Sequence, residues 1–372
     1  MASKFRLFTK RFFIFSNLVV VIFFLLACFA PYLDPQKWWF ISFLGLGFPF
    51  LLILVIIFMF WWLFVKRRFA LISAVALLIG IKSISVFFAF HSNSSTLSIK
   101  KPGQIRIATW NVARFIEMKR NNNKGSHTRL RMMEQIQEQN ADVLCLQEFF
   151  HSVDTDWYPN LTYISKHFNY PYYYFSHDND GDKHFTGSVI FSRFPIIDSG
   201  LIRYPRPTLP EALLHVDLKV NNDTIRVYTT HLQSLQFNPR DYQTIDHIKE
   251  GDDGLVSNSK TIFSKLRTGI SFRKIQVDII EQVLGDSPYP LLFCADLNDI
   301  PNSYTYFKVR GDMQDAFLKK GFGIGRTFSG LSPTLRIDYI FADDHFQIDQ
   351  FKRIRKDYSD HYMLVSDIQL KK

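Results

Sequence analysis

Six groups of polar residues stand where apolar runs end. Asn111 follows IATW, and Gln147 and Glu148 close LCLQE. His231 and Gln233 lie in THLQ, and Asp296, Asn298 and Asp299 lie in ADLND. Asp338 stands in RIDYIF, and Asp360 and His361 stand in YSDHY. Carboxylate oxygens are hard ligands suited to Mg²⁺, which usually keeps several waters and takes only one or two protein carboxylates. A carboxylate or an imidazole can also take the proton of an attacking water. Singly, each group has an ordinary reading. A strand-end Asn or Asp forms turns, a Glu after a strand is solvated, and a lone His is structural. The repeated placement at strand ends is what points to chemistry.

Those positions need strands to carry them. Short β-rich runs occur at Ile105–Trp110, Val143–Gln147, Tyr172–Phe175, Ser188–Ser192, Ala212–Val220, Thr224–Thr230, Leu291–Ala295, Arg336–Phe341 and Met363–Ile368. Helical periodicity marks Thr128–Gln139, with Leu130, Met133, Ile136 and Gln137 around one face. It also marks Ser259–Leu284, through Ile262, Leu266, Ile270, Val277, Ile280 and Leu284. Strands mixed with few helices predict one α/β domain with packed sheets. Only three cysteines are present, which excludes a disulfide scaffold and a zinc-finger array. Cys145 and Cys294 lie inside strand patterns and read as small buried residues.

In this order, the blocks IATWNV, LCLQE, GSVIFSRFPI, THLQS, CADLND, RIDYIF and YSDHY resemble the endonuclease/exonuclease/phosphatase superfamily. That group spans DNase I-like nucleases, abasic-site endonucleases, neutral sphingomyelinases and inositol-polyphosphate 5-phosphatases. The resemblance runs over about residues 104–370. It implies a four-layer α/β/β/α sandwich (DNase I-like) with the site at one end of two sheets. It implies that Glu148 is a metal ligand, with Asn111 and Asp360 completing or supporting the shell. Asp296 then takes the proton of the attacking water, and Asn298 holds that water or Asp296 itself. His361 donates to a phosphate oxygen and shuttles protons, its tautomer fixed by Asp338, and His231 is a second imidazole on the phosphate. Tyr173 and Arg193 are expected as further substrate contacts. The implied cofactor is Mg²⁺, with Mn²⁺ as a substitute.

Three departures from the family pattern stand out. Ala295 replaces the glycine that often precedes the Asp of ADLN. Ala113 stands where some nucleases carry an acid, which leaves a two-metal variant open. A long insertion, Leu235 to Ile275, is expected to help shape the substrate cleft.

The first third of the chain is different in kind. Residues 1–100 carry ten Lys/Arg against one acid, Asp34, so nine of the ten net positive charges lie there. The remainder is nearly neutral, so bulk charge gives no support to a nucleic-acid partner. Runs of 22 residues (Phe12–Leu33) and 28 residues (Trp38–Val65) hold no charge. At about 1.5 Å per residue either spans a hydrocarbon core of about 30 Å. A third run, Phe69–Phe90, is broken only by Lys82. The expectation is a transmembrane region over 1–91 with about three helices (12–33, 38–65, 69–90). A linker over 92–103 and a catalytic domain over 104–372 follow.

Lys4, Arg6, Lys10 and Arg11 precede the first run, and Lys66, Arg67 and Arg68 separate the second from the third. The positive-inside bias puts both groups in the cytoplasm and the catalytic domain of a multi-pass inner-membrane protein on the outer, periplasmic side. These features predict a membrane-anchored, divalent-metal-dependent phosphoesterase that works as a monomer in contact with membrane lipid. Its substrate is a phosphate ester: a lipid head group, a nucleic acid or an inositol phosphate. The alternatives are a nuclease acting on DNA or RNA, and an inactive phosphate-binding module.

Overall fold

The computed structural model describes residues 2–91, 99–121, 124, 127–209, 211–250 and 255–371. Residues 92–98, more than half of the expected 92–103 linker, lie outside these. The chain forms two compact units, Met1–Phe88 with Ile300–Phe307, and Ala89–Asp299 with Lys308–Lys372.

The first unit is helical: α1 (Ala2–Phe29), α2 (Trp39–Leu46), α3 (Phe48–Val65), α4 (Ala70–Ile79) and α5 (Ile81–Phe87). Among the described residues, two helices are long and apolar enough to cross a membrane, Phe5–Tyr32 and Phe48–Val65. Arg67–Ile79 and Ile81–Phe87, bent by 66°, make a third if they are one span. The charge-free run 38–65 is not one helix. It breaks at Gly47, because Pro49 in the first turn of α3 has no N–H to continue the α2 ladder.

Helix α3 runs antiparallel to α1, pairing Phe13 with Trp61 and Phe24 with Phe48. The third run lies alongside α1 in the same direction. Lys10 covers the Phe69 ring, Ser73 Oγ donates to Asn17 Oδ1 at 3.0 Å, and Lys82 Nζ lies 5.3 Å from the Tyr32 ring centroid. Gly80 permits this approach, since a Cβ there would meet Phe24 at 2.7 Å. Within the same unit Asn302 Nδ2 donates to the Ala27 carbonyl at 2.9 Å.

The second unit is built on two sheets. The elements that follow α5 are β1 (Ala89–Phe90), β2 (Ile105–Asn111), α6 (Thr128–Gln139), β3 (Val143–Ser152), α7 (Asn160–His167), β4 (Tyr172–Phe175), β5 (Asp178–Asn179), β6 (His184–Ser192), β7 (Ile196–Arg203), β8 (Ala212–Val220), β9 (Asp223–His231), α8 (Pro239–Glu250), α9 (Leu255–Gly285), β10 (Leu291–Asp296), α10 (Tyr304–Arg310), β11 (Gln314–Asp315), α11 (Ala316–Lys320), β12 (Phe322–Gly323), β13 (Asp338–Ala342), β14 (Phe346–Ile354) and β15 (Met363–Leu370). One sheet has the order β14-β15-β2-β3-β6-β4, with β5 on β6, and the other β11-β13-β10-β9-β8-β7.

Alternation along the strands makes the layers. Ile105, Ile107, Val143 and Cys145 of the first sheet face Leu214, Val216, Val227, Leu292 and Cys294 of the second. On the other face of the first sheet, Ala108, Trp110, Leu144 and Leu146 pack on Met132, Met133 and Ile136 of α6 and Leu161 and Ile164 of α7. The buried Val277 and Ile280 of α9 provide the fourth layer. The central strands are buried on both faces, so they read as continuous apolar runs. The α/β/β/α order matches the expected sandwich. Cys145 and Cys294 are buried free thiols. On α6 the buried stripe is Met132, Met133 and Ile136, while Leu130 of the expected face is exposed.

Candidate active site

Among the described strands, the parallel pairs are β2 with β3 and β9 with β10. Each sheet therefore has two strands ending together at one edge. Register then sets neighbours: Asn111 opposite Gln147, and Asp296 between His231 and Asp338. Beneath them Gln147 Nε2 joins the sheets, donating to Thr109 Oγ1 at 3.0 Å and Thr229 Oγ1 at 2.9 Å.

Glu148 is aimed by a defect in the ladder. The β3–β6 register slips between Leu146 and Phe149, and Glu148 has φ 47°. Such a bulge turns one side chain out of the pleat. Asn111 Nδ2 donates to Glu148 Oε1 at 3.1 Å and to Asp296 Oδ2 at 3.0 Å, so it ties the two sheets' carboxylates together. Its Oδ1 accepts from Ala113 N at 3.0 Å. Asn111, expected to complete or support the metal shell, here braces the two carboxylates that face each other across the sheets.

Asp296 is wholly buried between two imidazoles. His231 Nε2 lies 3.6 Å and His361 Nδ1 3.7 Å from Oδ2, while Asn298 N donates to Oδ1 at 2.8 Å. Asn298, with φ 50°, also donates to Leu232 O and reaches His231 Nε2 at 2.9 Å. Each imidazole has its own carboxylate. Asp338 puts both oxygens 3.0 Å from His361 Nδ1, and Glu211 puts Oε1 3.0 Å from His231 Nδ1. Ser359 Oγ bridges Asn111 O at 2.9 Å and Asp360 Oδ1 at 3.2 Å, which fastens the YSDHY loop to the end of β2.

Burial alone would push both imidazoles down. For His361, Asp338 and then Asp296 and Asp360 overcome this and raise it to about 10. For His231, Glu211 and then Asp296 and Glu148 do the same, again to about 10. Burial pushes the Asp338 carboxyl up to about 6, against the pull of His361 and with a push from Asp296. Five carboxylates (Glu148, Glu211, Asp296, Asp338, Asp360) thus converge on two imidazoles, an excess of negative charge in a largely buried place. That oxygen-rich donor set fits a hard divalent cation. Asp296, Asp338 and His361 lie close enough to share one ion.

Tyr173 and Arg193 are not brought to this edge. Strand β6 runs antiparallel to β3, so Ser192 pairs with Val143, at the start of β3. Arg193 follows it, stacks on Tyr170 and donates to Asn140 O. Tyr173 pairs with Phe191, which pairs with Leu144, four residues of strand short of Glu148 and so roughly 13 Å away.

Two residues were missed by the sequence. Glu211 is a lone acid after Pro210 with no pattern to single it out. Tyr242 lies on α8, inside the insertion. Burial, then the charges of Asp360, Asp241 and Glu148, push its ionisation up. The insertion is anchored at its root, as Gln276 Oε1 accepts from Gln233 N at 2.8 Å and Arg273 pairs with Asp299 at 3.3 Å.

A profile of the endonuclease/exonuclease/phosphatase family matches residues 108–361. The chain belongs to that family. Residues 10–87 match a domain family of unknown function. A crystal structure of an endonuclease/exonuclease/phosphatase from Beutenbergia cavernae is 21% identical, covers 72% of each chain and has a TM-score of 0.51. The human Nocturnin catalytic domain is 18% identical over 73% of this chain and 96% of that one, with a TM-score of 0.49. A family protein from Leptotrichia buccalis is 15% identical over 72% of this chain and 100% of its own, with a TM-score of 0.49. No curated protein matches the chain. Membership makes the chain a hydrolase of phosphate esters, and the likeness to the Beutenbergia structure agrees with the fold described above.

Proposed function

We propose that this protein is a membrane-anchored phosphoesterase that needs Mg²⁺ or Mn²⁺ and attacks a phosphate ester with water. The observation that carries this reading is Asp296, buried between two carboxylate-backed imidazoles and tied by Asn111 to Glu148. Asp296 takes the water's proton. Asn298 fixes Asp296 through its backbone N–H and is itself held by its side chain donating to Leu232 O. His361, held by Asp338, and His231, held by Glu211, donate to the phosphate oxygens. Glu148 and Asp360 are the residues that would hold the metal, with Asn111 supporting Glu148. When bound, the ion offsets the charge that builds on the phosphate oxygens and acidifies water.

Placement outside the cytoplasm is part of the same proposal. The third apolar run rises beside α1 from Phe69, near Lys10, to Lys82, near Tyr32. That supports a third crossing, with Lys10, Lys66, Arg67 and Arg68 left on the cytoplasmic side. Protease added to spheroplasts is expected to cut the catalytic domain, and protection would overturn the outward orientation.

The activity test is a panel on the full chain in detergent. It contains bis-p-nitrophenyl phosphate, DNA, RNA, sphingomyelin and inositol phosphates, each with Mg²⁺, with Mn²⁺ and with chelator. Metal-dependent hydrolysis of at least one is expected. Hydrolysis of none overturns the proposal, and full turnover under chelator overturns its metal.

A further inference from the structure

The motif ADLND runs on into a segment that folds with the apolar helices. Ile300–Phe307 belongs to the same compact unit as Met1–Phe88, whereas Asp299, just before it, belongs to the catalytic unit. Three contacts fasten that segment. Asn302, 1% exposed, donates through Nδ2 to the Ala27 carbonyl of α1 at 2.9 Å. A Cβ on Gly45 of α2 would meet Asn302 O at 3.1 Å, so the glycine permits the close approach. Phe307 packs edge-on against Tyr32 with ring centroids 5.7 Å apart, and Lys82 Nζ lies 5.7 Å from the Phe307 ring centroid.

The bond to Ala27 answers a need of the helix. An α-helical carbonyl accepts from the N–H four residues on, and four residues after Ala27 stands Pro31, which has none. A carbonyl left unmade at the end of an apolar helix is costly, and Asn302 supplies the donor. Asn302 Oδ1 is buried with no partner among the described residues, so the side chain serves through its donor alone. The link back to the catalytic residues is short and stiff. Asn302 comes six residues after Asp296, Pro301 fixes φ between them, and Ile300 is 8% exposed. On the catalytic side Arg273 Nε lies 3.3 Å from Asp299 Oδ2, and Tyr339 OH donates to Asp299 O at 2.9 Å. The loop is therefore held at Asp299 by the catalytic unit and at Asn302 by α1.

We propose that Asn302 is a positioning residue for the hydrolysis. It caps the C-terminal end of α1 and thereby holds the ADLND loop, so the helical unit is part of the frame of the active site as well as its anchor. Asn302 acts through Asp296 and Asn298 and touches no substrate. A misplacement of about 1 Å in a reacting group can cost on the order of 100-fold in rate, so a tie this close to the base bears on turnover. This inference rests on the proposed phosphoesterase reading, with Asp296 as the base.

The test uses the full chain in liposomes, with bis-p-nitrophenyl phosphate and Mg²⁺. Asn302→Leu removes the donor at similar size. It is expected to lower kcat at least about fivefold and to leave KM within about twofold. Wild-type kcat, or a loss carried by KM, overturns the proposal. Gly45→Ala keeps the donor and pushes on the Asn302 carbonyl from α2, where alanine suits the helix. It too should lower kcat at unchanged KM. If Asn302→Leu does not fold, Gly45→Ala decides alone, and wild-type kcat in it overturns the proposal. Hydrogen–deuterium exchange is the readout independent of turnover. Leu297 N donates to Ile337 O and Asn298 N to Asp296 Oδ1. Both are expected to exchange faster in Asn302→Leu while strand β2 keeps wild-type rates, and unchanged exchange in the loop overturns the tie. If the wild type hydrolyses nothing yet the loop exchanges faster, the phosphoesterase reading fails and the tie between loop and helix stands.

Discussion

Glu211→Gln is the most informative single change, because it removes a charge and keeps a shape. The carboxylate lies 3.0 Å from His231 Nδ1 and is one-fifth exposed, while His231 is 5% exposed. At that distance a charge-assisted hydrogen bond contributes about 1.5–3 kcal/mol net. If that interaction holds the imidazole as a donor in the transition state, its loss lowers kcat by about 10- to 150-fold. The loop bearing Glu211 has other ties, from Tyr204 OH to Thr230 Oγ1 at 2.8 Å and from Leu209 N to Gln233 Oε1 at 2.8 Å. The variant should therefore melt close to the wild type. The assay is steady-state hydrolysis of bis-p-nitrophenyl phosphate with Mg²⁺, run as a double-mutant cycle with His231→Ala. Glu211 acts only through His231, so adding Glu211→Gln to His231→Ala should cost nothing further. Losses that multiply would refute the reasoning, and so would a Glu211→Gln enzyme within twofold of wild type.

Glu148→Gln and Asp296→Asn should each lower turnover at least about 100-fold, with near-ultraviolet circular dichroism unchanged; wild-type rates in either refute its role. Asp315→Ala should destabilise by about 3–5 kcal/mol in urea unfolding, because it strips the carboxylate from Arg336 where both side chains are 1% exposed and also removes the cap of α11. His151 gives the pH dependence. Burial, helped by His177, pushes it from 6.5 to about 4, and its Nδ1 has no partner. The unfolded state therefore takes the proton first, so this contribution is complete above about pH 6.5 and is lost as pH falls toward 4, by up to about 3 kcal/mol. His151→Phe should flatten the acid limb of a stability-against-pH curve, and an unchanged limb counts against the assignment.

What the sequence disclosed follows from where residue identity is constrained. Central strands such as β10 are buried on both faces, so LLFCA announces itself as an apolar run, and the polar ADLND that ends it marks the site. Edge strands have no such requirement. Strand β7 (IIDSGLIR) and strand β14 (FQIDQFKRI) close the two sheets with one side open, so charges interrupt their pattern and no strand was expected there.

Partners brought in by register were hidden for a related reason. The block GSVIFSRFPI is one motif along the chain, yet β6 runs away from Glu148. Its first residues therefore lie at the site, and Arg193 lies about six residues of strand further off, roughly 20 Å. Glu211 shows the converse. It follows a proline in a loop with no periodicity, and only the β8–β9 hairpin, which pairs Leu213 with Thr230, brings it beside His231. Catalytic residue types can thus be read along the chain, but their supporting carboxylates are chosen by strand pairing. The distinction has a consequence for Asn111. Its Oδ1 accepts from Ala113 N while its Nδ2 donates to Glu148 on its own sheet and to Asp296 on the other, so this one side chain braces both carboxylates, a support that strand pairing rather than sequence spacing creates.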